Sequence, residues 1–313
     1  YNCRLAAESQ EDAEALFDNV FNLRQFISGR SLWIGGSDAS ESLVCANFNC
    51  AFTVMDNMQA FVDLFYLLMV GTGVGFRILQ RDVAKLPRFR TDVVLENLPF
   101  EPLPSNERVD PTSILFRTDD IATIVVGDSK EGWVQALQFY LAIHTRHDYR
   151  RVKRIRINYN GVRPKGERLK TFGGTASGYE SLATMFAKIH KVLTTEEYAS
   201  APENGRLRPI HVLDICNIIG ENVVVGGVRR TAETAIVSPD DDEVIEAKTD
   251  LTPNKYHRFM SNNSIFFEEK PSWERLRHIF ETLRYTGEPG FVNAAEGKRR
   301  RADFEGLNPC FEI

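Results

Sequence analysis

Apolar and polar positions follow two periods along this chain, and the periods sort it into helices and strands. Residues 8–29 place Leu16, Phe17, Val20, Phe21 and Leu23 on one stripe, with Ser9 ready to cap and Glu11 and Asp12 in the first turn. That pattern predicts an amphipathic helix ending at Gly29-Arg30. Residues 31–34 read as a short strand stopped by Gly35 and Gly36, and 37–43 as a polar loop. Residues 45–54 read as a second strand with Asn49 and Cys50 inside it. Residues 58–70 are almost continuously apolar, which predicts a buried helix. Gly71-Thr72-Gly73-Val74-Gly75-Phe76 follows, where closely spaced glycines let the main chain turn sharply or approach a ligand.

Residues 80–165 change character. Pro87, Pro99, Pro102, Pro104 and Pro111 break up the first part. A β-branched strand is predicted at 121–126 and a helix at 130–146. A basic run over 146–156 ends in an alternating strand at 154–159. Beyond it the pattern predicts a helix at 179–193 and a polar loop at 202–207. A buried helix at 211–225 holds Asp214, Cys216 and Asn217, and 238–248 is acidic and helical. A strand follows residues 257–265, an amphipathic helix covers 271–285, a strand begins within 287–293, and 297–301 reads as a solvated loop.

Composition narrows the class. The chain has 313 residues, 43% hydrophobic and 26% charged, which is ordinary for a soluble globular protein and long enough for one large barrel. A net charge of −5 supplies no general attraction to nucleic acid or membrane, and the basic run reads first as a solvated face. The apolar stretch 61–79 carries Asp63, Arg77 and three glycines, so it reads as a buried helix running into a turn rather than a membrane span. No signal-peptide pattern is visible. Cys3, Cys45, Cys50, Cys216 and Cys310 form no CxxC pair, which argues against a structural metal site, and no metal ligands are predicted. A sparse, odd set of cysteines points to a reducing compartment, hence the cytoplasm. The sequence opens on Tyr1 and stops at Ile313, and the expectation is a piece of a longer protein.

The chemistry concentrates in Asn308-Pro309-Cys310-Phe311-Glu312-Ile313. Pro309 biases Asn308 to extended backbone, and in an extended stretch Asn308, Cys310 and Glu312 share one face. A carboxylate beside a thiol disfavours the thiolate, whereas nucleophilic cysteines sit among positive charges. A neutral thiol next to a base suits loss of a hydrogen atom, with the carboxylate moving protons. On six residues alone, a buried cysteine in a short strand is the simpler reading.

The motif resembles the radical-site loop of the ribonucleotide reductases, and matches continue in order from about residue 29. Gly29-Arg30-Ser31-Leu32-Trp33 and Asn49-Cys50 are similar to the family's first two barrel strands. The string Phe172 to Gly178 and the run Asp128-Ser129-Lys130-Glu131-Gly132-Trp133-Val134 are similar to the monomeric, cobalamin-dependent triphosphate reductases. The resemblance implies an α/β fold, a ten-stranded ribonucleotide reductase barrel. This chain would hold its first half plus the radical-site finger loop: 1–79 the first part of the barrel, 80–165 an inserted effector-binding subdomain, 166–313 the continuation to the radical cysteine.

The resemblance also implies roles. With adenosylcobalamin as radical initiator, Cys310 becomes the thiyl that takes the ribose 3′ hydrogen. Glu312 takes the 3′-hydroxyl proton, Asn308 holds the ribose hydroxyls, and Cys50 is one of two thiols oxidised in each turnover. Its partner in the family lies beyond Ile313. Ser31 binds substrate phosphates, Asn49 touches the ribose, and the main chain at Thr72 and Gly73 lies along it. Gly226, Gly227, Arg229 and Arg230 form the loop relaying specificity between effector and base. The implied partners are a ribonucleoside triphosphate, a deoxynucleoside triphosphate effector and a thioredoxin-like external reductant, acting on a monomer with no membrane and no nucleic acid. A diiron-dependent or anaerobic reductase with the same barrel, and a non-catalytic nucleotide-binding barrel, stay open as alternatives. The insertion and the Phe172 to Gly178 string favour the cobalamin type.

Overall fold

The structure, a computed structural model, describes residues 7–168, 175–223, 232–250 and 252–311. Its elements in chain order are α1 (Gln10–Phe21), α2 (Gly29–Ile34), α3 (Asp38–Ser42), β1 (Cys50–Val54), α4 (Met58–Met69), β2 (Gly73–Arg77), α5 (Gln80–Val83), β3 (Val94–Asn97), β4 (Ser113–Thr118) and β5 (Ile121–Val125). Then come α6 (Lys130–Thr145), β6 (Arg154–Asn158), α7 (Glu180–Thr194), α8 (Pro209–Val223), β7 (Glu233–Val237), α9 (Asp242–Ile245), β8 (Ser261–Phe267), α10 (Trp273–Thr286), β9 (Gly290–Asn293) and α11 (Ala294–Arg300).

Two sheets organise them. The first has five parallel strands in the order β1-β2-β7-β8-β9. Its connections run through helices, as parallel pairing requires. One face is the helix side: Val74, Phe76, Ala235, Val237 and Ile265 enter the main core with α4 and α8. Within α4, Phe61, Leu64, Phe65 and Leu68 are fully buried, each contributing about 1.5–3 kcal/mol. The opposite face carries a smaller apolar cluster of Leu79, Ile236, Phe266, Val292 and Ala294, onto which Phe52, Phe304 and Leu307 pack.

The second sheet has four strands in the order β3-β6-β5-β4, with β4 antiparallel to β5 and the other pairs parallel. It arises wholly within residues 80–165. It has its own sheet but shares its core: Ile124, Ile155 and Ile157 belong to the same buried cluster as Val74 and Phe76, because α6 packs on α4.

Several local expectations change. The helix of residues 8–29 is capped by Ser9, whose Oγ accepts from the Asp12 N–H at 3.1 Å, but α1 ends at Phe21, and Leu23 follows with a positive φ of 55°. Residues 31–34, expected as a strand, lie in α2. Ser28 caps that helix, and the Arg30 guanidinium ties it down by donating to the carbonyls of Ala46 (2.9 Å) and Gly71 (2.6 Å). Residues 45–54 are a strand only from Cys50 onward. The Thr72 hydroxyl donates to the Phe48 carbonyl at 2.8 Å and faces that of Cys45 at 3.3 Å, holding the preceding residues in a 3₁₀ turn. Residues 297–301, expected as a loop, fall largely in α11, which Asn293 caps and Glu296 reinforces by pairing with Arg299 and Arg300.

Candidate active site

β1 and β2 pair in parallel with Cys50 opposite Gly73, Phe52 opposite Gly75 and Val54 opposite Arg77. These residues share the face away from the helices, since side chains alternate along a strand. Residues 305–310 cross that face in the opposite direction to β2. Arg77 meets Glu305, Gly75 lies under Leu307 and Asn308, and Gly73 lies under Pro309. A Cβ on Gly75 would overlap the Leu307 carbonyl oxygen and stand 3.1 Å from the Asn308 Cα, so only glycine lets the two main chains lie this close. Gly306 fits likewise over the Phe52 ring, and the Phe304 ring stacks on Phe266 at a centroid distance of 6.0 Å.

This course brings the Cys310 sulfur to 2.9 Å from that of Cys50. The separation is too long for a disulfide, and neither cysteine is in one. Cys310 is exposed and Cys50 half-buried. Asn308 shapes the turn: its Oδ1 accepts from the Cys310 N–H at 2.8 Å. Arg77 anchors the other end, donating to the Glu305 carbonyl oxygen at 2.8 Å and pairing with its carboxylate. Asp82 grips Arg77 from behind at 2.8 and 3.0 Å. Burial works against the Arg77 charge, yet Asp82 and Glu305 hold its pKa above the ordinary value.

The other candidates fall nearby or outside. Asn49 is exposed beside Cys50. Its Nδ2 donates to Ser28 Oγ at 3.2 Å and its carbonyl accepts from the Gly73 N–H at 2.8 Å. Thr72 is fully buried with its hydroxyl and N–H both engaged, so it holds the turn before Cys50 and presents no side chain to a ligand. Ser31 lies on α2 with its carbonyl accepting from the Gly35 N–H at 3.1 Å. Glu312, the loop residues Gly226, Gly227, Arg229 and Arg230, and the string's Phe172, Gly173 and Gly174 lie outside the described residues. Cys216 is fully buried, and burial together with Glu233 pushes its thiol pKa well up, which suits packing rather than chemistry. The sequence reading missed Arg77 and Glu305, and it took the glycines at 73 and 75 for a sharp turn or an approach to a ligand rather than to the chain's own segment. The available signal was Gly73-x-Gly75-x-Arg77, two missing side chains and one long cation on a single strand face.

In its chemistry the site offers two thiols in contact and a side-chain amide beside them. Among the described residues no cluster of His, Cys, Asp or Glu is arranged to hold a metal ion, and no helix is long and apolar enough to cross a membrane.

Comparison with known proteins agrees with this arrangement. The family described as "B12-dependent ribonucleotide reductase, insertion domain" matches residues 106–193, and "ribonucleotide reductase alpha domain" matches residues 2–37. The chain is 31% identical over 345 residues to an adenosylcobalamin-dependent ribonucleoside-triphosphate reductase of Lactobacillus delbrueckii subsp. bulgaricus, covering 97% of this chain and 45% of the relative. It is 29% identical over 347 residues to the protein of that name from Lactobacillus acidophilus, covering 98% and 46%. A crystal structure of a B12-dependent (class II) ribonucleotide reductase superposes with a TM-score of 0.79 at 28% identity, over 100% of this chain and 49% of that one. The chain thus spans about half the length of the curated relatives it matches. With the thiol pair, the parallel sheet and the matched insertion taken together, the chain is similar, over about half of their length, to the B12-dependent, class II ribonucleotide reductases.

Proposed function

We propose that this chain is the part of a class II reductase that carries the radical cysteine, and that the complete protein reduces ribonucleoside triphosphates to 2′-deoxyribonucleotides. The observation that carries the reading is the 2.9 Å contact between the sulfurs of Cys50 and Cys310, residues 260 apart in sequence. Adenosylcobalamin supplies the initiating radical when bound. The residues present fit the side of the site that receives it, because the Cys310 thiol is exposed and free.

Cys310, once its own S–H hydrogen has been lost to that initiating radical, takes the 3′ hydrogen of the ribose as a thiyl. Glu312 accepts the 3′-hydroxyl proton, which lets the 2′-hydroxyl leave as water. Asn308 holds the ribose hydroxyls while its Oδ1 fixes the turn. Cys50 and a cysteine beyond Ile313 supply two electrons as they join in a disulfide, and a thioredoxin-like reductant resets them. Ser31 lies on the phosphate side, Asn49 and the Thr72–Gly73 main chain on the ribose side. The five-stranded sheet is the first half of a ten-stranded barrel. Residues 80–165 hold a deoxynucleoside triphosphate effector, and the loop with Gly226, Gly227, Arg229 and Arg230 relays its identity to the substrate base. The protein acts as a monomer in the cytoplasm.

The test is to express the complete reading frame and assay deoxynucleotide formation with and without adenosylcobalamin. Formation that depends on the cofactor and disappears in Cys310→Ala is expected. Activity that needs an iron or manganese partner instead, or that survives Cys310→Ala, overturns the reading.

A further inference from the structure

We propose that the inner face of β2, formed by Gly73, Gly75 and Arg77, is a positioning track that sets the register of residues 305–310 and thereby brings the Cys310 sulfur to Cys50. The segment lies on the face of the sheet rather than at its edge. None of the backbone hydrogen bonds among the described residues joins it to β2, so no ladder of N–H and carbonyl groups fixes how far it runs. Side-chain shape must do this instead. Each step of two along β2 meets a step of about two along the segment: Arg77 with Glu305, Gly75 with Leu307 and Asn308, Gly73 with Pro309, whose Cγ a Cβ on Gly73 would meet at 3.4 Å. Cys50, the register partner of Gly73, then meets Cys310.

The two glycines and the arginine act differently. Gly75 removes the side chain that would lift the segment off the sheet. Arg77 is held from behind by Asp82 and grips the Glu305 carbonyl, which stops the segment from sliding. Phe304 and Leu307 add apolar anchorage on Phe52, Phe266 and Val292, but an apolar contact is non-directional and sets no register by itself. The intervening Val74 and Phe76 face the core and take no part. Gly75 and Arg77 are therefore positioning residues, acting through Cys310.

The test reads thiol proximity directly in the 313-residue chain, in a Cys3→Ser, Cys45→Ser background. Oxidised glutathione, a small disulfide, is added. The Cys50 and Cys310 thiols lose two protons and two electrons to form one disulfide, while the glutathione disulfide is reduced to two thiols. The cross-linked peptides are followed by mass spectrometry. Gly75→Ala is expected to slow cross-linking by about tenfold or more, the order that lost sub-ångström positioning carries. Val74→Ala, on the opposite face of the same strand, is expected to lower the melting temperature and leave the rate unchanged. Arg77→Gln is expected to slow cross-linking, with Arg77→Lys recovering part of it.

Undiminished cross-linking in folded Gly75→Ala, or an equal loss in Val74→Ala, overturns the proposal. If Gly75→Ala does not fold, an unchanged rate in Arg77→Gln overturns it. A second arm rests on the reductase reading: in the complete protein Gly75→Ala should lower kcat by about a hundredfold with little change in KM. Absence of turnover in the unsubstituted protein would count against that reading alone, and the thiol result would still decide this one.

Discussion

Arg77 reaches across 228 residues of sequence to donate its Nη1 hydrogen to the Glu305 carbonyl oxygen at 2.8 Å, while Asp82 holds the same guanidinium from the other side. The two carboxylates are not equivalent. The Asp82 side chain is 1% exposed and that of Glu305 54%. Removing a buried partner strands a charge, whereas an exposed pair is screened by water. Asp82→Asn is therefore expected to destabilise by about 3–5 kcal/mol and Glu305→Gln by about 1 kcal/mol or less, read from urea unfolding. Equal effects would mean that the anchor is not directional.

The two contacting thiols should separate by substitution in the complete protein. Cys310→Ser is expected to abolish both release of the 3′ hydrogen of the substrate and deoxynucleotide formation, by about a thousandfold or more. Cys50→Ser should abolish product while 3′-hydrogen release persists, because abstraction precedes the supply of electrons. Tritium release from 3′-labelled substrate, measured beside product formation, distinguishes the two.

Thr72 is expected to matter for stability. Its hydroxyl donates to the Phe48 carbonyl at 2.8 Å in a fully buried position. Thr72→Val leaves that carbonyl without its donor, at a cost of about 1–3 kcal/mol. Thr72→Ser keeps the hydroxyl and should recover most of it. Urea midpoints of the two variants provide the check.

A second buried network sits under α8. Asp214 accepts from Arg258 at 2.7 and 2.9 Å and from His257 at 2.8 Å, and all three are buried. Burial works against the Asp214 charge, but Arg258 and His257 outweigh it and lower its pKa. Arg258→Met leaves the carboxylate without its main partner and is expected to destabilise by about 3–5 kcal/mol in chemical denaturation.

His144 makes stability depend on pH in the four-stranded part. Burial lowers its pKa from 6.5 to about 4, while its Nδ1 donates to the Arg90 carbonyl at 2.7 Å. A depressed histidine pKa means the unfolded chain binds more protons between those two values. Its contribution is complete above pH 6.5 and is lost as pH falls toward 4, by about 3 kcal/mol at full extent. His144→Phe should flatten this part of the stability profile. A slope between pH 4 and 6.5 unchanged by that substitution would refute the assignment.

Much was legible in the residues. The terminal Asn-Pro-Cys-x-Glu motif marked the thiol, and the apolar runs marked α4, α8 and the core strands, because burial on both faces leaves a near-continuous apolar signal. The short elements were less legible. Ser31 to Ile34 has strand-like composition, but Ser28 and the reach of Arg30 to Ala46 and Gly71 make it helical. Those carbonyls are distant in sequence, and local propensity yields to such contacts.

The residue pattern by itself determined the two-period alternation that builds the sheets and the glycine spacing at 73 and 75, and it singled out Cys50 and Cys310 as candidate thiols. Only the tertiary structure decided what those glycines are for. They admit the chain's own segment 305–310, and that sets the sulfurs of Cys50 and Cys310 at 2.9 Å. The reason is physical: a missing side chain records that something comes close, but which main chain fills the space depends on contacts between residues more than two hundred positions apart.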